Sequence, residues 1–519
     1  MFLYVPNSYH LYEKKEVYSL RELLDTPTQR RLKILEHLNE KADWISSNDL
    51  AQENNASLRT INNDVSYLKD NWYPHLLIET SKKNGVRLRT QPSSHVEIVY
   101  RYVLKTSEAF RLLESMFFDT TLSIEKWGEQ LFISESSLYR ITNAMSESLS
   151  KYGLILEKKP CRIIGTNEFF VRCFYTSFFR EAYNATEWPF PVNKKDSVFF
   201  VRQLAKNFDF ELDDNQLIHM NYIFNVSMIR QSQGFYVEND LQNEQLERIR
   251  ENLTKQKNDL EKIAIQYKMT VNDKMINDLI YTIFLHQSNW ASKDEQLLVT
   301  KEIHQFIKTL RDFFDITLSN DISHKIEGTM KQLYLYHRIY PFRNHIIYDS
   351  YFYNGTAIKK DYPVLNEVIE HSLKLMEKRT GFPWESTYHN VILYWLMIKW
   401  SDLPSILKEK KEKAQIFVLS DIGREHAEFL AKMIRSNFGS KATIEHYQGS
   451  IVLLDEEKPA NINEYDLLVT NFNSDCLPEN KLVVIDDIPS SGDWGILRKA
   501  INSLNKIDPK SLEDLRVME

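Results

Sequence analysis

Apolar side chains recur at the spacing of one helix face in two segments of the first third of the chain, 77 residues apart. These positions are Ile61, Val65 and Leu68 in the first segment and Leu138, Ile141, Met145 and Leu149 in the second. Before each run a serine, Ser57 or Ser134, stands where a helix N-cap accepts backbone N–H bonds, and a short helix precedes it. A small residue in that short helix, Ala51 or Gly128, allows close helix crossing, so the pattern predicts two helix-turn-helix units.

A strand, a basic turn and a second strand are predicted after each unit. Residues 77–79 and 86–89 flank Ser81-Lys82-Lys83-Asn84-Gly85, and residues 155–157 and 161–165 flank Lys158-Lys159-Pro160. A β-hairpin with a basic tip in this position is a wing, which touches phosphates beside the groove that the helix enters. A single copy of this pattern could also be a helical hairpin that only packs against the rest of the protein. Because there are two copies, each followed by a wing, the pattern favours DNA binding.

The outward residues of both units are of the types that contact DNA, because Arg and Asn form paired hydrogen bonds with bases and Lys, Ser, Thr and Tyr reach phosphates or base edges. A solvated helix face would also carry such residues. The candidates are Arg59, Thr60, Asn62, Asn63, Ser66, Tyr67, Lys82, Lys83 and Arg87 in the first unit, and Ser136, Ser137, Tyr139, Arg140, Asn143, Lys158 and Lys159 in the second.

Residues 170–405 have the pattern of long amphipathic helices, with a weaker internal repeat. The segment 208–214 (FDFELDD) recurs 106 residues later as 314–320 (FDITLSN), and each copy is followed by histidines at similar intervals. The gap from His219 to His286 is 67 residues and that from His324 to His389 is 65. The sequence therefore predicts two tandem helical domains.

The end of the chain alternates apolar strands with helices. Strands are predicted at 414–419, 451–454, 466–470 and 481–485, with a helix from about 422 to 437. This order is typical of a small parallel α/β domain.

Composition narrows the possible functions. The chain has 65 basic and 72 acidic residues, but residues 1–168 carry 22 of each, so the acidic excess lies downstream. The three cysteines are scattered, and the nucleotide-binding, protease and hydrolase motifs that use glycine-rich or histidine-rich signatures are absent from the sequence. We therefore expect a cytoplasmic protein of several domains that is not an enzyme, with no catalytic residues, no metal site, no cofactor and no membrane segment.

The order of these parts resembles the Mga/AtxA family of virulence transcriptional regulators of Gram-positive bacteria. The resemblance covers essentially the whole chain and implies a multidomain, mainly α fold. It implies a first winged helix-turn-helix with an N-terminal extension (1–92), a second winged helix-turn-helix (93–168), and two all-α bundles like phosphotransferase-system regulation domains, PRDs (169–297 and 298–407). The last domain (411–519) resembles enzyme IIB of the sugar phosphotransferase system.

The resemblance also implies how such a protein is controlled. It implies an activator that binds double-stranded promoter DNA, forms a homodimer, and receives phosphate on PRD histidines from the phosphocarrier protein of the sugar phosphotransferase system. The histidines concerned are His219, His286, His324 and His389, with His337 as a rival. Enzyme IIB of this type has a Cys-x-x-Gly loop after its first strand, where this chain has Ser420-Asp421-Ile422-Gly423. Because a serine is a poor nucleophile without a nearby base, we expect this domain to serve association instead.

Two other functions fit parts of this pattern. One is a component of the phosphotransferase system, which the missing loop cysteine disfavours. The other is a protein-interaction scaffold whose helix-turn-helix units no longer bind DNA.

Overall fold

The computed structural model describes residues 20–41, 43–90, 94–207, 212–237, 244–284, 290–342, 344–409, 413–439, 441–456 and 462–504. These residues form two compact units. Unit 1 holds the described residues up to 290 together with 332–349, and unit 2 holds those of 291–331 and from 350 onward.

The first helix-turn-helix unit lies in unit 1. A short 3-10 helix (Leu20–Leu23) leads into α1 (Thr26–Lys41), α2 (Ser47–Glu53) and α3 (Leu58–Trp72). Strands β1 (Leu76–Ser81) and β2 (Gly85–Thr90) form the predicted antiparallel hairpin, and Ile45 adds a bridge to Val86. The apolar positions Ile61, Val65 and Leu68 are buried, as their one-face spacing predicts.

The second helix-turn-helix unit, also in unit 1, repeats this order. Helices α4 (Glu97–Thr106) and α5 (Glu108–Phe118) precede the pair α6 (Ile124–Leu131) and α7 (Glu135–Ser150). Strands β3 (Leu154–Lys158) and β4 (Cys161–Gly165) form its antiparallel hairpin. Both predicted winged helix-turn-helix units are therefore present.

The rest of unit 1 is helical, with α8 (Glu168–Ala182), α9 (Lys194–Lys206), α10 (Asp214–Ser232), α11 (Glu244–Lys255), α12 (Lys257–Gln266) and α13 (Asp273–Phe284). A buried ion pair joins two of these helices: the guanidinium of Arg172 donates to both carboxylate oxygens of Asp278, at 2.5 and 2.9 Å. Arg172 also donates to the hydroxyl of Thr282. Because these partners hydrogen-bond the charges fully, burial of the pair is tolerated in the core.

Unit 2 begins with more helices: α14 (Lys293–Phe313), the first part of α15 (Asn320–Ile339), α16 (Ser350–Asp361), α17 (Pro363–Thr380), α18 (His389–Lys399) and α19 (Leu403–Glu409). The last part of α15 belongs to unit 1. No helix among the residues described here has the length and apolar character needed to cross a membrane.

The predicted parallel α/β domain follows in unit 2. Strands β5 (Ala414–Val418), β6 (Ala442–His446), β7 (Leu467–Thr470) and β8 (Leu482–Val484) pair in the order β6-β5-β7-β8, all parallel, with α20 (Arg424–Phe438) and α21 (Ser491–Leu504). The strand predicted at 451–454 is wrong, since residues Ile451–Leu453 form a 3-10 turn in which Val452 is 85 % exposed. The second strand is β6 instead, which was not predicted because charged and polar residues interrupt its short apolar pattern.

Candidate nucleic-acid interface

Each candidate recognition helix begins at the predicted serine cap. The hydroxyl of Ser57 accepts a hydrogen bond from the backbone N–H of Thr60 at 3.1 Å, and that of Ser134 accepts one from Ser137 at 3.2 Å. Both caps have extended backbone, as an N-cap requires. The start of both helices is therefore fixed by the same local bond.

The second helix pair crosses as closely as its glycine predicts. A Cβ atom on Gly128 would lie 2.9 Å from a terminal methyl of Leu138, which is closer than ordinary packing allows. Leu138 is on α7 and is buried against this glycine, so the small residue of α6 makes room for the recognition helix.

The outer face of α3 presents most of the predicted contact residues to solvent. Arg59, Asn62, Asn63 and Ser66 are exposed, and Thr60 is half-buried. These side chains project from the N-terminal half of the helix, which is the part that enters the major groove in helix-turn-helix proteins.

Two arginines that sequence reasoning missed hold α3 from its inner side. Arg30 and Arg31, on α1, donate to the two carboxylate oxygens of the buried Asp64 at 2.5 and 2.8 Å. The guanidinium of Arg31 also lies 3.6 Å from the ring centre of Tyr67, one turn along α3. Tyr67, predicted as a DNA contact, is thus held in a cation–π contact, and the arginines could not be assigned because they are more than 30 residues from Asp64.

The outer face of α7 is built in the same way. Tyr139 is 71 % exposed, Ser136, Arg140 and Asn143 are exposed, and Ser137 is half-buried. Its buried side is formed by Leu138, Ile141 and Met145. Apart from the half-buried Ser137, these side chains lie on the faces that the sequence pattern predicts.

Some basic residues of the wings are exposed to solvent, whereas others contact neighbouring side chains. Lys82, Lys83 and Lys158 are exposed at the hairpin tips. Arg87 is instead engaged: it donates to Glu79 at 2.5 Å across the hairpin, and its guanidinium lies 4.6 Å from the ring centre of Trp44. The hydrogen bond from Arg87 lowers the pKa of Glu79.

Lys159, at the tip of the second hairpin, lies 3.2 Å from the carboxylate of Glu125. The pKa of Glu125 is lowered to about 2, mainly by a hydrogen bond with Ser123 and to a smaller extent by Lys159. Both groups are largely exposed, so this ion pair is one that a phosphate could displace.

The turn of each unit contains a residue with left-handed backbone: Asn55 (φ 47°) in the first and Phe132 (φ 57°) at the same place in the second. Asparagine tolerates this conformation, whereas it is strained for a bulky side chain. The Phe132 side chain is 92 % exposed, so it places a large apolar group at the surface of the second turn.

The four candidate phosphoacceptor histidines have different surroundings. His324 is exposed, and Nδ1 of the half-buried His219 lies 3.3 Å from Nη1 of Arg180. His389 is only 6 % exposed, burial lowers its pKa to about 4, and its Nε2 has no hydrogen-bond partner among the described residues. His286 lies outside the described residues. The rival His337 is buried, and this burial lowers its pKa to about 4.

The expectation that Ser420, in the loop after β5, has no nearby base is wrong, because His426 on α20 lies next to it. Nδ1 of His426 lies 2.7 Å from Oγ of Ser420, and its Nε2 lies 2.8 Å from the backbone oxygen of Asp487. Because a carbonyl oxygen only accepts, Nε2 carries a proton, and in the neutral ring Nδ1 then accepts from the serine hydroxyl.

This loop is closed by further bonds. Ser420 is 2 % exposed and also accepts from the N–H of Ile422. The amide of Asn471 donates to the carboxylates of Asp421 and Asp487, at 2.6 and 2.8 Å. The loop therefore combines a buried hydroxyl with two carboxylates held by Asn471, an unfavourable environment for an incoming phosphate.

Comparison with known families places helix-turn-helix models on both units. The model of the Mga helix-turn-helix domain matches residues 92–179, and a general helix-turn-helix domain model matches residues 30–87. The two matches coincide with the two structural copies described above.

Whole-chain relatives extend this similarity. A protein of Streptococcus pneumoniae serotype 4, whose name describes a trans-acting regulator, is 23 % identical over 90 % of this chain and 96 % of its own length. The capsule synthesis positive regulator AcpB of Bacillus anthracis is 22 % identical over 91 % of this chain and 98 % of its own length. The capsule synthesis positive regulator AcpA of the same organism is 23 % identical over 54 % of this chain and 58 % of its own length.

The names of these relatives all describe regulators, in agreement with the expectation for this chain. They also confirm the resemblance to the Mga/AtxA regulators that the domain order predicts.

Proposed function

We propose that this chain is a DNA-binding transcriptional regulator, most simply an activator, that binds double-stranded promoter DNA through both winged helix-turn-helix units. The observation that carries the proposal is the repetition of one interface. Each unit has a serine-capped helix with an exposed Arg or Asn face and a hairpin with exposed lysine at its tip. The names of two of the three relatives describe positive regulators of capsule synthesis, which supports the same direction of control.

The charge balance favours use of both units at once. With 22 basic and 22 acidic residues in 1–168, the DNA-reading part has little net attraction for phosphates. Two linked units, or a dimer that carries four, raise affinity by increasing the effective concentration of the second contact.

We further propose that phosphorylation of histidines in the helical domains controls this activity, with the phosphocarrier protein of the sugar phosphotransferase system as donor. His324 is accessible to a protein donor, whereas His389 is neutral and would need local opening. A phosphoryl group brings about −1.5 to −2 charges, enough to repack a helix contact.

The α/β domain is proposed to support homodimerisation. Its closed Ser420 loop argues against phosphate transfer and hence against a phosphotransferase component. Deleting residues 411–519 should shift the full chain towards monomer in light scattering and reduce promoter activity. If the deleted protein is still a dimer, the dimer interface lies in the helical domains instead.

The control by phosphate is tested with radiolabelled phosphocarrier protein and the full chain. We expect label on the wild type, a reduced signal in His324→Ala, and the largest loss when His219, His286, His324 and His389 are replaced together. Equal labelling of the quadruple variant would make His337 the next candidate. The scaffold alternative predicts no salt-dependent shift of promoter DNA in gels, whereas a regulator of this kind should give one that weakens with salt.

A further inference from the structure

A short segment after helix α15 is bound between parts of unit 1 that are far away in sequence. Residues 344–349, which we call the crossing segment, bury the side chains of Ile346 and Ile347 in the core of unit 1. Their backbone is held by Glu181 at the end of α8. The N–H of Ile346 donates to one carboxylate oxygen at 2.6 Å, and those of Ile347 and Tyr348 donate to the other, both at 2.8 Å.

Glu181 is an unusual group for this position. Desolvation of this partly buried carboxyl group raises its pKa to about 7, although the three N–H bonds oppose that shift. Withdrawing a carboxyl group from water is costly unless its oxygens are hydrogen-bonded, so the three N–H bonds make the contact with the crossing segment specific.

The crossing segment in turn holds the first reading unit. The N–H of Leu20 donates to the oxygen of Ile346 at 2.9 Å, and Nε of Arg21 donates to that of Ile347 at 2.6 Å. The guanidinium of Arg21 also pairs with Glu36 on α1. The ring of Tyr348 lies 4.4 Å from that of Tyr100, whose hydroxyl donates to the same Glu36.

The same region contacts the second reading unit. The 3-10 helix that carries Leu20 and Arg21 also carries Glu22, which accepts from Ser148 on α7 at 3.2 Å and pairs with Lys151 at 3.3 Å. The ring of Phe342, just before the crossing segment, lies 5.7 Å from that of Tyr152, just after α7. One junction thus touches α1 of the first unit and the end of the recognition helix of the second.

We propose that Glu181 is a positioning residue for the two-unit DNA interface: by fixing the crossing segment it sets the distance between recognition helices α3 and α7, and so the spacing of the two DNA elements they read. The statement about DNA rests on the proposed function, whereas the statement about distance does not. Glu181 lies on α8 and has no place among the DNA-contact residues.

The distance is measured first, without DNA. Nitroxide labels are placed on full-length protein at Lys69→Cys on α3 and Glu147→Cys on α7, both exposed positions. The background carries Cys476→Ser, while Cys161 and Cys173 stay because burial raises the pKa of each to about 12 and keeps them unreactive. Electron–electron double resonance should give one narrow distribution of the distance between the two labels when Glu181 is present, and a broader distribution for Glu181→Gln.

Two further variants keep the result interpretable. Glu114→Gln changes another partly buried carboxyl group of unit 1, which accepts from Tyr183 and forms no hydrogen bond with the crossing segment among the described residues, so it should keep the narrow distance distribution. If Glu181→Gln does not fold, Arg21→Gln is used instead. Arg21 is partly exposed, and its replacement removes the hydrogen bond that holds the crossing segment from the other side. A narrow, unshifted distribution in the folded Glu181→Gln or Arg21→Gln variant would overturn the positioning role.

Selection from a random-sequence duplex pool then tests the consequence for DNA. Wild type and Glu114→Gln should enrich two short elements at one fixed spacing, and Glu181→Gln should enrich the same elements at several spacings. An unchanged single spacing in Glu181→Gln would contradict the inference. No enriched sequence with any variant would contradict the proposed function, and the label distances would then still decide the positioning role.

Discussion

Nε of Arg31 on helix α1 lies 2.8 Å from a carboxylate oxygen of Asp64 on the first recognition helix. The partner oxygen of Asp64 accepts from Arg30, so one buried carboxylate anchors the inner face of α3 to two cations. The outer face of the same helix carries Arg59, Asn62 and Asn63. Rigid placement of these three side chains therefore depends on an ion pair on the opposite side of the helix.

Replacing Asp64 by Asn should destabilise the first unit. Removing one partner of a buried ion pair costs up to several kcal/mol, and because both arginines are partly exposed we expect about 2 kcal/mol. Urea denaturation of the full chain measures this change. The control Asp70→Asn, at an exposed position on the same helix, should change the free energy of unfolding by less than about 0.5 kcal/mol. Equal stability of both variants would show that the pair does not anchor α3.

The two kinds of wing residue should respond differently to salt. Lys82 and Lys83 are exposed at the tip, so replacing both with Ala should reduce the slope of log affinity against log salt by up to about 2. Arg87→Ala should mainly lower stability, because Arg87 is engaged with Glu79 and Trp44. Fluorescence anisotropy across a salt series gives the slopes. A larger slope change in Arg87→Ala than in the lysine variant would refute this division.

Gly85 begins strand β2 at a place where no side chain fits. Its φ is 97°, and a Cβ there would lie 2.1 Å from the backbone oxygen of Ile45. Gly85→Ala should therefore disrupt the bridge between Ile45 and Val86 and lower the free energy of unfolding by at least about 2 kcal/mol. Gly234→Ala is the matched control, since Gly234 has a φ of 88° with no atom within 4 Å, and it should cost only about 1 kcal/mol. The two variants are compared by thermal melts. Equal losses of stability would contradict the claim that the space at Gly85 excludes a side chain.

The stability of the chain should depend on pH through His389. Burial lowers the folded-state pKa of His389 to about 4, below its ordinary value near 6.5. The unfolded chain therefore binds more protons between these values, so the free energy of unfolding falls as pH decreases from about 6.5 towards 4. His389→Gln should flatten this slope in urea titrations at several pH values. An identical slope in the variant would show that His389 does not cause it.

Local patterns allowed the two reading units to be predicted from sequence, because caps, hairpins and one-face spacing each depend on residues a few positions apart. The contacts that fix these parts to one another were not predictable in the same way. Glu181 meets Ile346 across 165 residues, and Arg30 meets Asp64 across 34. The strand predicted at 451–454 failed because an apolar run was taken for a buried one, and Val452 is exposed.

DNA binding by the full chain, measured for variants of each recognition helix, tests the central claim most directly. The first variant replaces Arg59, Asn62 and Asn63 with Ala, and the second replaces Tyr139 and Arg140. Anisotropy with a promoter duplex should show a loss of affinity for each, with about 1–3 kcal/mol for every paired base contact removed. Circular dichroism should show an unchanged helix content. Undiminished affinity in a protein that carries all five substitutions would contradict DNA recognition by these helices.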